Sequence, residues 1–181
     1  MPSNMVFLYT LIGAVAALAS TRALQPFIDT VGSRSLLVFS SIFLMITSLA
    51  WAAIPTDLPW VVYFLLGFLA AFFLRLRLLM MSRLLIRTLP TRDRISYTTM
   101  LNFVSAIIGL GVGLAGGGLA DFTEARQLAV PHIYTFTYIF AAVTCLVSAV
   151  LSIKIHDPGS LSIRETAAVF LSVKNIRAYI D

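Results

Sequence analysis

Residues 97–119 run for about 23 positions without a charged side chain, and six of them are glycine: Gly109, Gly111, Gly113, Gly116, Gly117 and Gly118. At 1.5 Å per residue a helix of that length crosses the hydrocarbon core of a bilayer, about 30 Å thick. In a water-soluble helix so many glycines would be ruinous, at roughly 1 kcal/mol each relative to alanine. In a membrane, small residues let backbones approach closely where no hydrophobic force drives helices together. The run is preceded by Arg83, Arg87, Arg92 and Arg94, with only Asp93 against them. Arginines flanking an apolar run mark its cytoplasmic side. A membrane-crossing helix, entered from a basic connection and packed against other helices, is therefore expected here.

Composition agrees. Hydrophobic residues make up 59% of the 181-residue chain and charged residues 12%, against about 25% charged in soluble domains. The expectation is a multi-pass integral protein of the cell membrane, with the lipid bilayer as its first partner. The net charge of +5 comes from 13 Lys+Arg against 8 Asp+Glu. These arginines lie between apolar runs, where cytoplasmic loops place them, so no nucleic-acid partner is expected. The single cysteine, Cys145, lies within an apolar run and reads as a small buried residue.

Five apolar runs follow one another. The first spans residues 5–24; Ala17-Leu18-Ala19 resembles a signal cleavage site, but no basic region precedes it, so a retained helix is expected. A polar connection, residues 25–35, leads to the second run, residues 36–54. The hairpin Pro55-Thr56-Asp57-Leu58-Pro59 comes next, its second proline suited to a helix first turn. The third run starts at Trp60 and meets Arg75 and Arg77 before resuming through Ile86. Either it leaves the bilayer near Arg75 with snorkelling arginines, or one helix of about 27 residues continues; without Gly or Pro before Pro90, the long helix is favoured. After the glycine-rich fourth run a loop is expected over residues 120–132, then a fifth run over 133–153.

The tail, residues 156–181, differs in kind. Asp157-Pro158-Gly159 breaks the preceding helix, and Ser162 to Glu165 fits a capping box. Ile163, Ala167, Phe170, Val173, Ile176 and Ile180 make an apolar stripe at helical spacing, predicting an amphipathic helix on the membrane surface; a short, partly disordered tail is the alternative. Lys and Arg favour the connections after the first and third runs, and the tail. The expected fold is thus an all-α membrane protein of five transmembrane helices, N-terminus outside and C-terminus cytoplasmic. Residues 1–155 form the bundle and 156–181 the cytoplasmic tail. An odd bundle that starts outside reads as the end of something larger.

No catalytic constellation is present, so no enzyme, cofactor or metal site is expected. His132 and His156 fall at opposite membrane faces in this topology, and G-x-S-x-G, H-E-x-x-H and P-loop patterns are missing. Gly109, Gly113 and Gly117 fit G-x-x-x-G twice, a pattern for helix packing more than for substrate contact. Ionisable residues inside a span are functional candidates by default. Arg75 and Arg77 stand two apart, about 200° around a helix, so one cavity cannot receive both. Arg75 reads either as a cavity residue or as an interfacial one. Asn102 reads as an interhelical hydrogen-bonding group or as a polar group on a translocation path.

Residues 84–121, with LLIRTLP, the Arg92/Arg94 pair, Tyr97, Asn102 and a terminal GGGLAD, resemble the tenth and eleventh helices of major facilitator superfamily transporters. Residues 25–34 resemble that superfamily's cytoplasmic loop signature, G-x-x-x-D-[RK]-x-G-[RK]-[RK]: Asp29, Gly32 and Arg34 match, while Gln25, Thr30 and Ser33 depart from it. The five runs then correspond to helices eight to twelve, so the N-terminal half and the seventh helix would come from elsewhere. The resemblance implies secondary transport of a small solute, with Arg75 and Asn102 as cavity candidates and an anionic substrate favoured by the arginine. Asp29, Gly32 and Arg34 would form a cytoplasmic hinge. A non-transporting scaffold or regulatory subunit that packs against partner helices is the competing expectation.

Overall fold

A computed structural model describes residues 3–55, 59–88, 94–155, 157, 161, 162, 164–166 and 168. Among these the chain is all-α, with five helices: α1 (Ser3–Val31), α2 (Ser33–Ala53), α3 (Trp60–Thr88), α4 (Arg94–Ala125) and α5 (Thr135–Ile153). Four helical stretches are long and apolar enough to cross a membrane: Ser33–Ala53, Trp60–Arg87, Ile95–Ala125 and Thr135–Ile153. In α1 the apolar stretch is shorter, Thr10–Arg22. The chain is a multi-pass integral membrane protein by this composition.

The boundaries follow local chemistry. The expected polar connection at residues 25–35 contracts to one residue, because α1 continues to Val31 and α2 begins at Ser33. Gly32 alone breaks the path, at φ 87° and ψ 160°, a region open essentially only to glycine. The third helix runs unbroken from Trp60 to Thr88, so Arg75 and Arg77 both lie within it. At its start the Pro59 carbonyl accepts from the Val62 N–H at 3.0 Å, as an N-terminal proline permits.

The fourth helix overruns its expected end by six residues, taking in Asp121 and Glu124. Nothing in Ala-Asp-Phe-Thr-Glu-Ala opposes helix. It stops at Gln127, whose φ of 47° is left-handed. There Gln127 N–H donates to Glu124 O at 3.1 Å and Leu128 N–H to Thr123 O at 3.4 Å, the paired bonds of a Schellman end.

Packing is uneven. The α2 helix is central, lying against both α3 and α5, and α1 lies against α3. Helices α3 and α5 hardly touch each other, and α4 leans mainly on α5 among the described residues. The main buried cluster is Val31, Leu36, Leu37, Leu76, Met80 and Leu84, at the arginine-rich end of the bundle. Burying one such side chain contributes about 1.5–3 kcal/mol. That end also holds the α1–α2 junction.

Candidate functional site

The α1–α2 junction is held from the far end of the chain. Asp157, just beyond α5, accepts on Oδ2 from the Ser33 N–H at 3.0 Å and the Arg34 N–H at 3.2 Å. These are the first amides of α2, the groups a helix leaves unpaired at its positive end. Arg34 returns the contact: its Nη2 donates to the Ile153 carbonyl at the C-terminus of α5, where a cation is favoured. Two antiparallel helices thus exchange opposite charges across adjacent ends. Asp157 Oδ1 also lies 3.6 Å from Arg87 Nη1, with the aspartate side chain 3% exposed and the arginine 49%. Two further bonds close the junction: Leu161 N–H to Val31 O at 3.0 Å, and Ser35 Oγ to Leu161 O at 2.6 Å.

The opposite ends of α2 and α5 are joined as well. His132 Nε2 lies 2.7 Å from the Trp51 carbonyl, and Nδ1 accepts from the Tyr134 N–H at 3.2 Å. A carbonyl only accepts and an amide N–H only donates, so the proton sits on Nε2. Trp51 stacks on Tyr138 at 5.7 Å and tilts against Tyr63 at 5.8 Å. This aromatic group fits the belt found at membrane interfaces.

A second polar feature lies between α3 and α5. Because these helices hardly meet, α2 floors an open cleft of about 570 Å³ between them. Arg77 stands in it, its Nη2 donating to Ser148 Oγ at 2.9 Å and its Nη1 3.9 Å from Cys145 Sγ. Both contacts are neutral, and no carboxylate among the described residues faces this guanidinium.

The structure places the residues singled out in the sequence as follows. Gly32 and Arg34 sit in the junction, and Asp29 lies in the last turn of α1. Arg75 is exposed on α3, turned away from Arg77 as a two-residue step requires. Asn102 is exposed on α4. Neither lines the Arg77 cleft or the aromatic pocket at Trp51. A Cβ at Gly109, Gly113 or Gly117 would meet nothing within 4 Å; the close approach of α4 to α5 is at Gly116, where a Cβ would come within 3.2 Å of Thr137 Cγ2 and whose carbonyl accepts from Thr137 Oγ1 at 3.0 Å.

Asp157, Ser148 and the capping role of His132 escaped sequence reasoning. Asp157 stood in a helix-breaking Asp-Pro-Gly, and its signal was an isolated acid at the arginine-rich end. The capping box is formed: Ser162 N–H donates to Glu165 Oε2 at 2.8 Å, and Glu165 N–H to Ser162 Oγ at 3.2 Å. The apolar stripe of the tail, His156, Arg92 and Asp93 lie outside the described residues, and Arg94 opens α4. No group of three His, Cys, Asp or Glu among the described residues could hold a metal ion. No protein-family model, curated protein or solved structure matches the chain, and its firm classification is a multi-pass membrane protein.

Proposed function

We propose that the chain serves secondary transport of a small solute, as the part of a major facilitator-type transporter corresponding to its last five helices. Rocking of one helical half against another around a midplane site is how such transporters work. The observation that carries this reading is the α1–α2 junction. Its Asp29, Gly32 and Arg34 resemble the superfamily's loop signature, and Gly32 joins two helices through a conformation that other residues resist. A sharp, clamped joint between rigid helices suits an element that moves as a body. With 29 residues, about 43 Å of helix, α1 is long enough to be the first of five crossings.

In this reading Arg75 and Asn102 face helices contributed by the rest of the transporter, and the open glycine face of Gly109, Gly113 and Gly117 packs there. Arg75 favours an anionic solute. A chain supplying the other helices is the implied partner, and the membrane is the cell membrane. Catalysis forms no part of the proposal.

The open glycine face also supports the second reading, a scaffold that binds partner helices. Solute uptake separates the two. Proteoliposomes holding the chain together with one that supplies seven further helices are tested against a panel of carboxylates and phosphate esters. The transport reading expects uptake that Gly32→Val abolishes and Arg75→Ala redirects or weakens. Uptake absent for every solute, with a stable complex still formed, overturns it and leaves the scaffold.

A further inference from the structure

We infer that the Arg77 cleft is a binding site for the phosphate of a membrane phospholipid, whose acyl chain lies along the trough between α3 and α5. The inference stands apart from transport and from Arg75.

It begins with a charge. Arg77 is a fixed cation 11 residues before the end of α3, about 16 Å along the helix. Its partner Ser148 lies five residues, about 8 Å, before the end of α5. The guanidinium is thus inside the bundle, below the arginine-rich end. A guanidinium at that depth is costly unless paired, yet Ser148 and Cys145 offer only neutral atoms. Asp157, a described carboxylate at this end, is committed to α2 and Arg87. Arginine presents five N–H donors in a fixed fork; Ser148 takes one on Nη2 and Cys145 one on Nη1, which leaves three. A phosphate matches the remainder in charge and shape.

The walls identify the rest of the ligand. Leu74, Leu78 and Met81 on α3 fall on the Arg77 face at helical spacing, and Val147 and Leu151 on α5 stand opposite. All five are about half exposed, so the trough is open along its side, towards the acyl chains, rather than closed around a solute. Its volume of about 570 Å³ lies within the usual range of ligand pockets, roughly 300–1,000 Å³. Basic pockets between membrane helices near a cytoplasmic face are recognised lipid-headgroup sites. Arg75 is a built-in control, with the same charge on the same helix two residues away, but pointing elsewhere.

The test is native mass spectrometry of the purified full chain in detergent, titrated with dioleoyl phosphatidylglycerol. The proposal expects one phosphatidylglycerol bound above the non-specific background. Arg77→Gln, which keeps a donor for Ser148 and removes the charge, should weaken it tenfold or more, and Arg75→Gln should leave it unchanged. Dioleoylglycerol, lacking phosphate, should bind at least tenfold more weakly, and millimolar inorganic phosphate should not displace the lipid. Should Arg77→Gln lose its helical circular dichroism, Val147→Trp replaces it: that change fills the exposed trough, leaves Arg77 in place, and should also expel the lipid. Retention in both variants, or equal loss in Arg75→Gln, overturns the proposal. So does equal binding of dioleoylglycerol, which would mark a merely apolar groove, or displacement by free phosphate, which would mark a small-anion site.

Discussion

Replacing Asp157 should show how much of the bundle hangs on one residue beyond its last long helix. The carboxylate accepts from two α2 amides at 3.0 and 3.2 Å and is almost wholly buried. Removal of a capping side chain costs about 0.5–2 kcal/mol, and hydrogen bonds to a charged group contribute about 1.5–3 kcal/mol. The Arg87 contact adds little, about 0–1 kcal/mol, since it is long at 3.6 Å and the arginine is half exposed. Asp157→Ala should therefore destabilise by about 2–4 kcal/mol. Asp157→Asn keeps one carbonyl oxygen for the amides and should cost about 1 kcal/mol, and Arg87→Ala less than about 1 kcal/mol. Thermal unfolding in lipid nanodiscs, with hydrogen exchange at Ser33 and Arg34, reads all three. The ordering is the test. An Arg87→Ala loss as large as that of Asp157→Ala would mean the ion pair, not the helix cap, holds the junction. Equal losses for Asp157→Asn and Asp157→Ala would show that hydrogen bonding to α2 contributes nothing.

Three more outcomes can be checked. Gln127→Gly should stabilise the end of α4 by about 1 kcal/mol, because Gln127 holds a left-handed conformation that costs a non-glycine residue about 1–2 kcal/mol; an unchanged or lower melting temperature counts against this. His132→Ala should cost about 1 kcal/mol, the worth of one net hydrogen bond, and should alter Trp51 fluorescence, since the imidazole holds the Trp51 carbonyl; a superimposable spectrum and melt would refute it. The Ser162 side chain first, and its backbone second, hold the Glu165 carboxyl below the ordinary carboxylate range. Its folded pKa is depressed, so the capping contribution is fully present above the ordinary value and fades as pH falls through the depressed one; Glu165→Gln should remove that acid-side loss of helix signal from the tail.

Much of the architecture was legible in the chain. A charge-free run of about 23 residues has few ways to satisfy its backbone in a bilayer except as helix, so the spans at Ser33–Ala53, Ile95–Ala125 and Thr135–Ile153 followed from length and composition. The long third helix followed from the want of any Gly or Pro between Arg75 and Ile86. The capping box at Ser162 and Glu165 was legible for the same reason: both partners sit three residues apart, and the chemistry is local. The connection at residues 25–35 was less so, because Pro26 and Asp29 read as loop although the backbone continues as helix up to Gly32.

What the sequence by itself determined was where helices run, which end is basic, and that Arg75 and Arg77 point apart: each depends on neighbours within a turn or two. Tertiary structure alone decided which arginine meets another helix, that Gly116 rather than its neighbours touches α5, and that Asp157 reaches back to Ser33. These pairings span 124 positions for Ser33 and Asp157 and 71 for Arg77 and Ser148. They depend on the rotation of each helix about its axis. An apolar sequence leaves that rotation open, since a helix hydrophobic on all sides fits lipid and protein equally well.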